Sequence, residues 1–265
     1  KFLPWACPSH ISARRGLRLE SPGLTIALGG EYARLEIPGA KRSGGGVRGP
    51  IRGFSRGSRR RLLDLVNQID RRCICGDKML FVTLTYPGVW SRDWRVWKAH
   101  LRAMIMRLQR RYPGIQLLWR LEFQSRGAPH FHFLVFNVER IDISWLSQAW
   151  YEVVGSGDRR HLAAGTEVSR VRSWRGVLYY VGKYMAKVDK VASPTGRIWG
   201  VIGGLPLTLV VIPFAGIREA YQVRRILRRW LERKLSRRIW WGRSRGSGLK
   251  VYLPNSVVIA VMLGI

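Results

Sequence analysis

Acidic residues are scarce in this chain. Against 47 Lys and Arg it sets only 16 Asp and Glu, a formal net charge of +31 over 265 residues. Such an imbalance repels itself in any compact state and calls for a polyanionic partner. Nucleic acid is the first, because each neutralised phosphate releases a counterion; an anionic membrane surface is the second. Cysteine is nearly absent as well. Three residues, Cys7, Cys73 and Cys75, make no disulfide framework and fit a reducing cytoplasm. No second Cys/His pair stands at zinc-ribbon spacing from Cys73 and Cys75, so both read as incidental thiols. No G-x-x-x-x-G-K-[ST] loop occurs, which argues against a fused helicase. No signal peptide is recognisable, and the chain opens on Lys1 rather than Met, as a fragment would.

Long apolar runs are also lacking, with one exception. The uncharged stretch Ile198–Ile217 has about the length of a membrane span. Its two prolines and four glycines suit two short strands and a turn better. What is present is ample core material: 46% hydrophobic residues, with 12 Trp and 8 Phe. The length predicts one sizeable domain with extensions.

Composition divides the chain into three. Residues 1–55 read as a basic arm, because "GAKRSGGGVRGPIRGFSRGSRRR" is rich in Gly, Arg and Ser and poor in core residues. Residues 56–205 carry regular periodicities. They run from a short helix, "RRRLLDLVNQID", to a strand over 79–87 and a helix opened by Ser91 with Trp94, Trp97, Leu101, Met104, Ile105 and Leu108 at helical spacing. A hairpin of strands 115–124 and 130–136, a helix near 144–154, a strand near 167–172 and a helix near 174–188 follow. That order predicts an α+β fold of the split βαβ type, ferredoxin- or RRM-like, an antiparallel sheet with helices on one face. Residues 206–265 form a basic extension. Its helix has Ile226, Leu227, Trp230, Leu231 and Leu235 as the apolar stripe and arginines turned to phosphate.

The hairpin carries the first chemical signal. Strand side chains alternate faces. Odd positions Leu117, Trp119, Leu121, Phe123, Phe131, Phe133 and Val135 are apolar and face the core. Arg120, Glu122, Gln124, His130 and His132 share the other face. With a loop over 125–129, Gln124 pairs across from His130 and Glu122 across from His132, close enough for both imidazoles and the carboxylate to converge. Three such ligands hold a divalent ion and leave positions open for water or substrate, as a catalytic centre requires. Mn²⁺, Mg²⁺ and Zn²⁺ are all compatible with the set.

The second signal is "LYYVGKYMAKV", residues 178–188. On a helix Tyr180, Lys183, Tyr184 and Lys187 form one stripe, while Val177, Leu178, Val181, Met185 and Val188 cover the other side. A phenol is a weak nucleophile near neutral pH, and a neighbouring ammonium or metal favours the phenolate. Tyr184, between Lys183 and Lys187, is the expected first nucleophile, with Tyr180 second.

"FVTLTYP" at Phe81–Pro87, Glu122 with "PHFHFLV", and "YYVGKYMAK" resemble, in order, the three motifs of HUH endonucleases. More narrowly they resemble replication initiators of single-stranded DNA phages and rolling-circle plasmids, over roughly residues 55–205, where "GRIWGV" is also similar. The resemblance implies a nickase that cuts one strand at a replication origin, leaving a 5′-phosphotyrosine and a free 3′-OH. It implies His130 and His132 as metal ligands, Glu122 as the third with Gln124 in reserve, and Mn²⁺ or Mg²⁺ as the ion. Two tyrosines four apart, Tyr180 and Tyr184, would pass strands between them. Single-stranded origin DNA, a host helicase and a host polymerase are the implied partners, without a membrane. A transposase or mobilisation relaxase would share the chemistry, and a non-catalytic single-strand-binding module would share the charge and aromatics.

Overall fold

The structure, a computed structural model, describes residues 22–27, 30, 32–36, 51, 53–74, 78–185, 195–236, 238 and 249–251. Lys187, Val188, Cys7, Cys75, the Gly/Arg-rich stretch at 37–50 and the side chains of Tyr184, Met185 and Leu235 lie outside the described residues.

In chain order the elements begin with β1 (Gly23–Ala27), β2 (Ala33–Glu36), α1 (Arg56–Gln68) and β3 (Met79–Thr85). There follow α2 (Trp94–Arg111), β4 (Gln116–Phe123), β5 (Pro129–Phe136), α3 (Ile143–Val154) and α4 (Arg159–Ala164). Next come β6 (Thr166–Arg170) and α5 (Trp174–Tyr180), which runs into a π-helical turn at Val181–Met185. β7 (Trp199–Ile202), β8 (Leu209–Pro213), α6 (Ile217–Leu235) and β9 (Leu249–Val251) complete the series. The chain forms two compact units, one of residues 48–63 and 71–205, the other of residues 1–47, 64–70 and 206–265.

The first unit is a five-stranded sheet in the order β6-β3-β5-β4-β7, antiparallel at every pairing. Its β3-α2-β4-β5-α3-β6 path is the split βαβ arrangement expected from the periodicities. β3 and β5 lie at its centre because "MLFVTLT" and "PHFHFLVF" are β-branched and aromatic and are buried on both faces. The odd positions of β4 and β5 face α2 and α3, as alternation requires. Phe131 meets the Trp150 ring edge-on with centroids 6.3 Å apart, and Phe123 meets Trp97 at 5.6 Å. Within α2, Trp97, Leu101, Met104, Ile105 and Leu108 are the buried stripe. The N-cap is Asp93 rather than Ser91: its carboxylate accepts from the Arg95 amide at 2.9 Å, and Ser91 instead accepts from the Asp93 amide.

Two short strands do occupy the uncharged stretch after Ile198. β7 joins the β4 edge, and Gly200 lies where a Cβ atom would come within 2.8 Å of Trp119 Nε1. Among the described residues no helix is long and apolar enough to cross a membrane.

The second unit corrects the expected arm and extension. β1 and β2, inside the stretch read as an arm, form a four-stranded sheet with β8 and β9 in the order β8-β1-β2-β9. Helix α6 packs on it: Ala220, Val223 and Leu227 share a buried cluster with Leu24, Ile26, Leu35 and Phe214. Residues from both ends of the sequence therefore build one core. Overall composition pointed to the arm, but "LTIA" is β-branched and apolar enough to pair once β8 is beside it.

Candidate active site

β5 presents His130 and His132 on the face away from α2 and α3, and β3 presents Thr85 and Thr83 directly opposite them. Each threonine hydroxyl meets an imidazole, Thr83 Oγ1 to His132 Nδ1 at 3.3 Å and Thr85 Oγ1 to His130 Nε2 at 3.0 Å. On the other side His132 Nε2 lies 3.0 Å from Glu122 Oε2. A carboxylate only accepts, so Nε2 is the donor to Glu122, and the Thr83 hydroxyl meets the ring at Nδ1. The two imidazole centroids are 4.5 Å apart. This is no exposed surface patch, since His132 is only 2% and Glu122 6% exposed.

The register differs from expectation by two residues. Glu122 pairs with His130 and Arg120 with His132, because Pro129 joins the strand opposite Phe123. An even shift keeps every side chain on its face, so Glu122 still reaches His132, across the diagonal. Gln124 falls in the loop, where its Oε1 accepts from Arg126 Nε at 2.9 Å. Burial, with the His132 ring a lesser cause, pushes the His130 imidazole down to about 4, so it is neutral at pH 7 and keeps a lone pair.

The donor types suit a divalent ion: two imidazoles and a carboxylate. Glu122 Oε2 and His132 Nε2 stand 3.0 Å apart, the separation of adjacent ligands each about 2.1 Å from a metal. Yet among the described residues no three His, Cys, Asp or Glu side chains are disposed to hold an ion. His130 turns its Nε2 to Thr85 instead. Glu167 stands on the same face at the β6 edge, across β3 from His132 through Thr83.

The tyrosine helix lies over this face. Ser173 Oγ caps α5 by accepting from the Gly176 amide, and buried Val177 and Val181 fix its inner side. Tyr180 stacks on Phe81 with centroids 4.3 Å apart, and Phe81 stacks on His132 at 5.2 Å. Phe54 sits over the Arg120 guanidinium at 4.2 Å on the same face of the sheet. Lys183 is placed differently from expectation: its ammonium lies 5.5 Å over the ring of Tyr179, the exposed tyrosine outside the stripe.

A second tier of residues was missed in the sequence. The Thr85 carbonyl accepts from Trp150 Nε1 and from His161 Nε2, both at 2.8 Å, while its hydroxyl meets His130. A carbonyl only accepts, so His161 carries its proton on Nε2, and Ser156 Oγ bonds its Nδ1 at 2.9 Å. Arg126 ties the hairpin loop to the end of β3 through the carbonyls of Tyr86 and Pro87. The alternating Thr83 and Thr85 of "FVTLTYP" could have been read as partners of the histidines; nothing local marks His161.

An α+β sheet with an acid–histidine cluster under a tyrosine helix is the class of protein defined here. The family of replication-associated proteins of the ORF2 type matches residues 79–189. A replication-associated protein of Pseudomonas phage Pf3 is 31% identical over 211 residues, 73% of each chain. A putative replication protein of Xylella fastidiosa strain Temecula1 is 30% identical over 182 residues, covering 60% of this chain and 64% of its own. One from strain 9a5c is 27% identical over 206 residues, 69% and 70% of the two chains. No solved structure matches. The chain belongs to the replication-associated protein family of phages and plasmids, and a role in replication goes with that membership.

Proposed function

We propose that the chain is an HUH-type endonuclease: a metal-dependent nickase that cuts a single-stranded replication origin and starts rolling-circle replication. The observation that carries this reading is the stack of His132, Phe81 and Tyr180, which sets a phenol over the face bearing Glu122 and both histidines. A binding module has no use for that combination. Glu122 and His132, joined by His130 on leaving Thr85, would hold Mn²⁺ or Mg²⁺. A bound ion supplies Lewis-acid stabilisation of charge developing on the phosphodiester.

The residues of the chain account for the rest. The Tyr180 phenol oxygen bonds to phosphorus as the bond from phosphorus to the 3′ oxygen breaks; the phenol gives up its proton and the 3′ oxygen gains one. The product is a 5′-phosphotyrosine and a 3′-hydroxyl, and the retained ester permits rejoining without ATP. Thr83 and Thr85 hold the imidazole planes. Tyr180, stacked on Phe81, would be one of two nucleophiles. Tyr184, a turn further on, would be the other, with Lys187 favouring its phenolate form.

Incubation with origin-like single-stranded DNA and Mn²⁺ tests this. A covalent adduct is expected on Tyr180, on Tyr184 or on both, lost with EDTA, in His130→Ala/His132→Ala and in the Tyr180→Phe/Tyr184→Phe double variant. DNA on Tyr179, Tyr86 or a serine would overturn the assignment, as would undiminished cleavage in the double-histidine variant.

A further inference from the structure

The second unit has a basic surface that the cleavage chemistry leaves unused. Helix α6 buries Ala220, Val223 and Leu227 against its sheet. At 3.6 residues per turn the opposite crest carries Arg218, Arg225 and Arg229 within roughly 40° of one line, spaced about 10 and 6 Å along the axis. All three are exposed, and Arg228 and Arg233 flank them in the same state. The helix carries two acids, one of which, Glu232, lies beside these arginines. Glu219 Oε2 accepts from the Ala215 amide at 2.9 Å, and Glu232 pairs with Arg228 at 3.0 Å. Among the described residues no ion pair forms on Arg218, Arg225 or Arg229. An open cleft of about 380 Å³ runs beside them, lined by Tyr221, Arg224, Arg225, Arg228, Arg229 and Glu232.

We propose that this face of α6 is a second nucleic-acid site, one that takes the phosphates of duplex DNA. A row of guanidiniums that outnumbers the carboxylates beside it is complementary to a polyanion. Single strands are held by stacking their bases on aromatic side chains, and this face offers one, Tyr221 near its start. Trp230, the other aromatic of the helix, packs against the buried cluster. A helix of 19 residues has the roughly 10–12 Å width that a major groove of about 12 Å admits. The histidine face would then act on the single strand while α6 holds the unopened duplex. This surface does not depend on cleavage, and its test is read from binding alone.

The test compares the parent chain with Arg218→Gln/Arg225→Gln/Arg229→Gln by fluorescence anisotropy, on a duplex and on an oligothymidylate of equal length, across a salt series. Each lost phosphate contact should lower the duplex salt slope by about 0.9, so a slope shallower by about 2.7 is expected. The oligothymidylate slope should hardly move, and Arg218→Lys/Arg225→Lys/Arg229→Lys should restore the duplex value. An unchanged duplex slope overturns the proposal. An equal fall on both nucleic acids overturns its preference for duplex. Lost capture by anionic vesicles with duplex binding intact would assign the face to a membrane surface. Absence of a tyrosine adduct would count against the nickase reading alone.

Discussion

Glu122, His130 and His132 show what single residues reveal and what they withhold. Their common face was readable because strand periodicity is fixed at two, and the register shift of two could not disturb it. The hydrogen bonds were not readable. Nothing in "PHFHFLV" says that Thr85 rather than Glu122 takes His130 Nε2. Lys98 was unmarked too. Its ammonium lies 4.8 Å over the Trp119 ring and donates to the Arg197 carbonyl. Burial, then Arg120 and Arg197, lowers its pKa from 10.5 to about 7. Below pH 7 the folded and unfolded chains both carry the proton, and the cost of charging the buried amine is fully present. Between about 7 and 10.5 the unfolded chain binds more protons, so stability rises with pH. Lys98→Met should therefore raise the urea midpoint at pH 6.5 and lose that advantage by pH 10. A variant whose advantage is flat across this range would show that Lys98 does not titrate in the folded state.

At the scale of elements, long periodic segments matched their readings. The stripe of α2, the two-faced hairpin and two short strands in Ile198–Ile217 all occur, the last two in different sheets. Local capping moved the ends instead: Asp93 outcompetes Ser91, and a π-helical turn takes over from α5 after Tyr180, where extra backbone often marks a functional site. Helix α4 escaped notice because six residues give too short a period, although Asp158 caps it by accepting from the Arg160 amide. Strand β7 depends on one small residue. Gly200→Ala would set a Cβ 2.8 Å from Trp119 Nε1 and 3.0 Å from Cε2. The indole, only 7% exposed, has little room to turn, so the change should cost about 1–3 kcal/mol, read as a lowered thermal midpoint. A variant melting with the parent would mean that β7 can lift from Trp119 without loss.

For the whole molecule the hidden feature is the second unit. Its first strand and β8 are far apart in sequence, at Gly23–Ala27 and Leu209–Pro213. No local window connects them, and the surrounding Gly/Arg-rich composition reads as an arm. The same composition explains how +31 can coexist with folding: the apolar residues of β1, β2 and α6 are enclosed in one core while the arginines of α6 stay outside. A truncation designed to remove a basic arm would therefore take away half of a sheet. Leu24 is a sharper probe, being 1% exposed between Leu35 and Ile212 across the sheet. Leu24→Ala should destabilise the second unit by about 2–5 kcal/mol, the usual cost of a cavity at a buried leucine. In hydrogen exchange read by mass spectrometry, peptides covering β1, β2, β8 and α6 should exchange faster. Peptides from β3 to β6 should keep their protection, because stability is distributed by cooperative unit. Tyrosine-adduct formation on a short single strand should survive in that variant, while the duplex salt slope falls with the unit that carries α6. Equal loss of protection in both sets of peptides would mean that the chain unfolds as one body.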